Sequence, residues 1–553
     1  MSLKKLVLLL FTVRHLKPIQ FYWRIYLKLN RFRGFNSVLS DDLSVNRLLL
    51  LAAAAKHASL VDNRFVFLNH SVTLAFPVHW NDDQEAKLWL YNLHYFDYIN
   101  QAEISTDTAL LLMRDWMLHN PVGTGNGWEP YPLSLRIVNW IKFLSLLDSN
   151  KDVGDIQASL YLQCRFLCGH LEYHLLGNHL FKNGVALFYG GGYFQGSEAV
   201  NWLLKGQEII EAQTREQVLP DGGHFERSLM YHLLILEDIL DCLNLQQAAA
   251  NASVSLSADI AATAVKMLQF TADTLHPDGE IGFFNDSALG IAPEPDAVLA
   301  YASRLGLLEA NSTGQNPADI SLVEKAEFGL YVLQNGQGRM LFDAGVIGPD
   351  YLPGHAHCDT LSYELSLFGQ RCIVNSGTYQ YAGLERNHFR ATAAHNTVSI
   401  DDAEQHEIWS TFRVARRGYP FEITIERESR LVSISAAHSG FMRLSGKPVH
   451  RRSVICSDNN WQIADTIEGQ GEHLAESFIH LHPAVDIVSK ESSGVVCMLN
   501  GKRFEIHVND DVAFTLIDTV YSAEFGLKQA NKTLVLSKQG VCPLLIAYQI
   551  AVA

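Results

Sequence analysis

Near residue 315 the hydrophobic pattern of this 553-residue chain changes its period, and one layer of secondary structure cannot follow both halves. From about Asn46 to Leu308, apolar residues recur every three or four positions, most clearly over Leu133–Leu147, Ala158–Leu176, Leu229–Leu243 and Ile260–Leu275. That spacing lines one face of a helix. Between these runs lie "NPVGTGNG", "LPDGGH" and "HPDGE", whose Gly, Pro, Asn and Asp favour turns. Helix, glycine-rich turn, helix predicts antiparallel helical hairpins. After "NSTGQNPAD" (Asn311–Asp319), read as a linker, come nine short strand-like runs: "GLYVLQ", "RMLFDAG", "TLSYELSLF", "RCIVNSG", "NTVSID", "LVSISAA", "SVICS", "FEIHV" and "PLLIAYQI". Short strands separated by turn residues predict a β-sandwich. The chain is also too long for one ordinary core. It therefore divides into an N-terminal segment (1–40), a helical domain (41–315) and a β domain (316–553), an α+β multidomain protein.

Composition narrows the partners. A formal net charge of -16 repels a phosphate backbone and excludes nucleic acid as the main partner. An acidic polysaccharide remains admissible if its site is locally basic. The eight cysteines contain no CxxC pair and are expected as free thiols.

The N-terminus carries Lys4 and Lys5 before the apolar run Leu6–Phe11. That run is short, Arg14 and Lys17 follow at once, and no small-residue cleavage site appears. Export through this segment is not expected, which favours a cytoplasmic or membrane-peripheral location, with the periplasm as the alternative. Arg14, Lys17, Arg24, Lys28, Arg31 and Arg33 interleave with Ile19, Tyr22, Trp23, Tyr26 and Leu29, and no acid precedes Asp41. Two readings are open: a helix lying on an anionic membrane surface, or an arm packed on the protein itself.

Four stretches concentrate polar and aromatic residues in helical surroundings: Lys87–Ile99, Trp128–Ile141, Gly177–Leu187 and Leu219–Leu236. They supply Arg136, Asn178, His179, His224, Glu226, Tyr231 and His232 near helix ends. Rings that stack on sugar faces, beside polar tips that read hydroxyls and carboxylates, suit a carbohydrate cleft. In the β half, "PGHAHCDTLSYEL" (Pro353–Leu365) adds two histidines and an aspartate, a cluster able to bind a metal, move a proton or sit satisfied in a core.

The motifs "YNLHYF", "PYPLSLRIVNW", "GNHLFKN", "DGGHFERSLMYH", "PDGEIGFFNDSALGIAP", "GHAHCDTLSYEL", "NSGTYQY" and "HNTVSID", in this order from about Leu88 to Ile400, closely resemble the heparinase II/III family of polysaccharide lyases. The resemblance implies an incomplete (α/α) toroid followed by an antiparallel β-sandwich, and β-elimination at a uronic acid with no organic cofactor. Such a reaction must neutralise the uronate carboxylate before its C5 proton can leave. By resemblance Asn178 is that neutraliser, with His179 beside it as second choice. Tyr231 is the acid, and for one C5 configuration also the base. His355 is the carboxylate contact or the opposite-face base; an ordinary histidine titrates near about 6.5, suited to proton transfer. Tyr131 and Arg136 are expected to line the cleft, with Arg136 as a fork for carboxylate or sulfate. Glu226 and His232 are expected beside the substrate, Glu226 holding a histidine.

Some family members hold a structural zinc, and the matching positions here are His357, Asn375 and His395. Asn375 departs from the aspartate of that pattern, and a neutral amide is a poor zinc ligand. Zinc and a hydrogen-bonded cluster both stay open. Two other functions are also open: a glycoside hydrolase using Glu226 and Asp286 as its carboxylate pair, and a non-catalytic glycan-binding protein of capsule or exopolysaccharide assembly.

Overall fold

Residues 3–29, 38, 43–147, 151–249, 254–308 and 320–552 are described by the computed structural model. The expected boundary near residue 315 falls outside them, as do Arg31, Arg33 and Asp41. Within the described residues the chain is helical from Lys87 to Arg304 and β-rich from Ser321 onward. All four predicted helices are present, as Pro130–Ser145, Gly154–Cys168, Leu229–Ala248 and Ala258–Thr274. The second stops at Cys168 instead of Leu176, with Gly169 as its C-cap. Beyond it Asn183 Oδ1 accepts the Glu172 backbone N–H at 2.8 Å, a bond that replaces helical pairing.

Before Lys87 the helical expectation fails. Leu60–Val61, Arg64–Phe67 and His70–Thr73 form a small antiparallel sheet. Its two-residue turns, Asp62–Asn63 and Leu68–Asn69, adopt the left-handed backbone that tight hairpins need.

One helical hairpin fixes much of the domain. Helices Gly177–Tyr193 and Ser197–Gln217 touch backbone to backbone: a Cβ on Gly191 would lie 2.4 Å from Leu203 N, and one on Gly206 would lie 2.5 Å from Phe188 N. Only glycines permit this approach, and it pins the axis of the helix that begins at Gly177.

The nine predicted strand runs all fall on strands. They belong to a five-stranded sheet (Ser321–Ile373), an eight-stranded sheet that starts at Pro420 and ends with Leu544–Val552, and a four-stranded sheet containing Val398–Ile400 and Glu472–His480. Every pairing between named strands is antiparallel. All three sheets share one apolar core, with Phe342, Leu365, Trp461, Ile479, Leu534 and Ile550 inside it.

The helical domain meets the β domain along the segment 276–289. His276 bonds Ser366 Oγ at 2.8 Å and Glu364 Oε2 at 3.0 Å, and Asp359 Oδ2 accepts the Asn285 N–H at 2.6 Å. Asp278 pairs with Arg371 at 2.7 Å.

The N-terminal segment forms α1 (Leu3–Val13) and α2 (Pro18–Leu29). One face of this arm packs on the protein: Thr12 Oγ1 accepts from Trp409 Nε1 at 3.0 Å, Lys17 pairs with Glu216, and Trp23 stacks on Tyr173 at 5.0 Å. No helix among the described residues is long and apolar enough to cross a membrane.

Gly206→Val forces the two helix backbones apart. An overpacked core of this kind loses about 1–3 kcal/mol, so the urea midpoint is expected to fall; an unchanged midpoint would show that the hairpin tolerates separation.

Candidate active site

Two helix N-termini and one β-domain loop converge on the site. Leu176 and Gly177 both have positive φ, 68° and 56°, and turn the chain sharply into the helix Gly177–Tyr193. A Cβ on Gly177 would come within 2.3 Å of Leu352 Cδ2 and 3.2 Å of Glu226 Oε1, so this glycine lets the β-domain loop close over the helix start. Asn178 and His179 therefore sit in a first turn, where backbone N–H groups lack helical partners and the dipole favours negative charge. The second helix, Leu229–Ala248, is capped by Ser228: its Oγ accepts from Tyr231 N at 3.2 Å and donates to Asp286 O at 2.6 Å. That cap ties Tyr231 to the domain seam.

Asp286 is the hub. Its Oδ2 accepts from His355 Nδ1 at 2.9 Å and Arg386 Nη2 at 2.7 Å. Its Oδ1 accepts from His357 Nε2 at 2.8 Å and from Arg386 Nη1. Burial by itself would raise this carboxyl, but the Arg386 guanidinium and the two histidines outweigh it and hold it well below the usual range. An ionised carboxylate only accepts, so His355 carries a proton on Nδ1 and His357 carries one on Nε2.

This leaves His355 Nε2 facing Glu226 Oε2 at 3.4 Å. Glu226 Oε1 in turn accepts from Asn178 Nδ2 at 3.1 Å. The Tyr231 ring lies over His355 at 4.0 Å between centroids, and its hydroxyl meets Tyr381 Oη at 3.1 Å. Burial pushes both tyrosines well above their ordinary value, so each keeps its proton at neutral pH. Asn178, Tyr231, His355 and Glu226 form one contiguous cluster, and Glu226 touches a histidine as expected.

His179 and Tyr131 are also adjacent, with ring centroids 4.6 Å apart. His179 Nδ1 lies 3.0 Å from Glu172 Oε1. Burial pulls His179 down, but the charges of Glu172, Glu226 and Glu129 prevail and the net shift is upward.

Three expected site residues lie elsewhere. Arg136 is fully buried, stacked over Trp116 at 3.8 Å with Nε donating to Gln163 Oε1 at 2.8 Å; it supports the core. His232 faces inward, with Nε2 beside Thr271 Oγ1 at 2.9 Å, because it lies about 100° around the helix from Tyr231. Asn375 is consumed by the fold: Nδ2 donates to Phe283 O at 3.1 Å and Oδ1 accepts from Asn396 N at 3.1 Å.

The carboxylate that joins His357 and His395 is Asp359, and the three donor atoms lie within 4.8 Å of one another. His395 Nδ1 donates to Ala391 O at 2.8 Å, leaving Nε2 bare. His357 Nδ1 is bare as well, and the two nitrogens face each other at 3.1 Å. Two lone pairs at that distance repel unless a proton or cation lies between them.

Sequence reasoning missed Tyr381 and Arg386, and read Asp286 as one carboxylate of a hydrolase pair. Tyr381 was within reach in "NSGTYQY"; Arg386 carries no local signal. Among the described residues, Arg386 pairs with Asp286 and Lys182 pairs with Asp238 at 2.7 Å.

Fold and cleft together define a two-domain protein, helical then antiparallel β, with one polar site at the seam. Residues 77–294 match the heparinase II/III N-terminus, and residues 321–548 match the heparinase II/III-like C-terminal domain. The chain belongs to the heparinase II/III-like family. A heparin-sulfate lyase of Bacteroides stercoris is 25% identical over 304 residues, covering 52% of this chain and 43% of that protein. One of Bacteroides thetaiotaomicron is 25% identical over 452 residues, covering 68% and 63%. The matched stretches thus span less than two thirds of these relatives. The crystal structure of heparinase III, 19% identical, has a TM-score of 0.71 and covers 96% of this chain and 88% of that one, a likeness of fold.

Asp286→Asn leaves Arg386 buried without its counter-charge. Breaking a buried pair in this way costs roughly 3–5 kcal/mol, so the thermal midpoint is expected to drop far more than for Glu226→Gln. Equal effects would mean Asp286 is not the hub.

Proposed function

We propose that this protein is a polysaccharide lyase that cleaves a uronic-acid-containing glycan by β-elimination, with glycosaminoglycans of the heparin and heparan sulfate class as the first substrates to test. The observation that carries this reading is the chain Asp286–His355–Glu226–Asn178, with Tyr231 stacked on His355. In this reading the helices make up the incomplete (α/α) toroid and the sheets the β-sandwich that flank the cleft.

The chemistry follows from the donors. One Asn178 N–H is used by Glu226; the other, with the helix N-terminus and His179, meets the uronate carboxylate and spreads its charge. His355 Nε2, turned from its 3.4 Å approach to Glu226 Oε2 toward the bound sugar, removes the C5 proton, while Asp286 stabilises the resulting imidazolium through Nδ1–H. As the C5–H pair becomes the C4–C5 double bond, the C4–O4 bond breaks. The departing oxygen takes its electron pair and the Tyr231 proton. The products are a new chain end and an unsaturated uronate. The hydrolase alternative loses support, because Asp286 is saturated by Arg386 and two histidines and has no capacity left to activate water or attack a sugar.

His357, Asp359 and His395 suit a structural zinc: two bare imidazole nitrogens and a carboxylate oxygen are its usual donors. Burial pulls both histidines down to about 4, which resists a bridging proton and leaves a cation as the better partner. When bound, zinc supplies positive charge that steadies the loop carrying His355 and takes no part in elimination.

Two measurements test this. With purified protein and a panel of uronate glycans, ultraviolet absorbance from the conjugated double bond is expected to rise. Tyr231→Phe and His355→Ala should each slow that rise by at least about 100-fold. Glycan binding with no absorbance would instead support a binding protein. Elemental analysis is expected to find one zinc per chain, lost in His395→Ala, with a lower thermal midpoint after chelation; a metal-free protein of unchanged midpoint would remove zinc from the proposal.

A further inference from the structure

The N-terminal arm has a face that stays exposed among the described residues. Its inner side is docked: Thr12 on Trp409, Gln20 buried, and Trp23 on Tyr173. Its outer side carries two apolar stripes, Leu3, Leu6 and Leu10 on α1, and Tyr22, Ile25 and Leu29 on α2. All six are exposed, Leu3 and Leu29 to 78%. Each stripe follows the spacing i, i+3, i+7, which keeps its members on one side of a helix. Large side chains in that register, turned away from the body, are poorly explained by packing within the chain.

Charge is distributed to match. All 59 acidic residues lie beyond residue 40, whereas eight of the 43 Lys and Arg lie before it. Arg24 also feels the like charge of Arg413, which, after burial, pulls it down. Arg413, on the hairpin Ile408–Val414, thus adds one more positive charge beside α2.

We propose that α1 and α2 form an interfacial anchor that seats this protein on a bilayer surface rich in anionic lipid headgroups. Apolar side chains would enter the headgroup boundary while Lys and Arg stems reach back to the phosphates. A second copy of the chain is a poorer occupant, because it would bring two basic faces together. The hairpin beneath α1 carries Phe412, whose ring lies 6.2 Å from that of His355. Anchoring would thus hold the cleft mouth beside the membrane. This inference is independent of the lyase reading, since vesicle binding is measured without glycan.

The test is flotation of the full chain with vesicles of phosphatidylcholine alone, or of phosphatidylcholine with phosphatidylglycerol. Binding is expected with the anionic vesicles, weakened by salt. It should fall at least about tenfold in Leu10→Glu/Ile25→Glu, and also in Arg24→Glu/Lys28→Glu, which spares the apolar stripes. Circular dichroism and the thermal midpoint should stay as in the parent, since the substituted side chains are solvent-facing. Failure to float with anionic vesicles, or equal flotation of parent and variants, overturns the proposal. So does a dimer in light scattering that the Leu10→Glu/Ile25→Glu variant dissolves without any vesicle binding.

Discussion

A single buried carboxylate organises the meeting of the two domains. Asp286 lies on the seam segment of the helical domain, and its partners His355, His357 and Arg386 all come from the β domain. A charge removed from water is tolerated only when it is paired and hydrogen-bonded, so the seam has its correct arrangement only when these elements are in place together. The same contacts dictate which imidazole nitrogens carry protons. Through them one structural requirement sets both the orientation of His355 toward the cleft and the exposure of His357 Nδ1 toward His395.

The cleft itself is assembled from the ends of elements. Gly177 admits the β-domain loop at Leu352, and Ser228 fixes the first turn that carries Tyr231. The glycine contacts between helices Gly177–Tyr193 and Ser197–Gln217 hold the first of these ends in position from a distance. With Arg386, Lys182 and Arg136 each committed to a partner, the proposed reading leaves an acidic sugar to amide, imidazole and helix-end donors. That kind of site suits charge that must be spread without being held too tightly, as the proposed elimination requires.

Much of this was legible before any coordinates. Helices and strands declared themselves by period, and Asn178, Tyr231, His355 and Glu226 stood in motifs whose order was informative. The errors have specific causes. The sheet at 60–73 is built from strands of two to four residues, too short to establish a period. Arg136 and His232 lie on helices whose sequence does not reveal which of their polar residues turn inward. Asp359 lies only two positions from His357, and no spacing rule prefers it over Asn375 until the loop bends. Arg386 has no local signal because its partner is a hundred residues away.

The sequence by itself determined the division into a helical and a β half, the family, and the residue types gathered at the site, because these depend on local periodicity and on motifs read in order. It also determined the bias of the N-terminal arm toward basic and aromatic residues. Only the tertiary structure decided which carboxylate is held ionised, which histidine nitrogen faces the cleft, which cations are already spent, and which side of the arm remains exposed. These depend on pairs of groups far apart in the chain, and their protonation and availability are properties of burial and contact that no single segment carries.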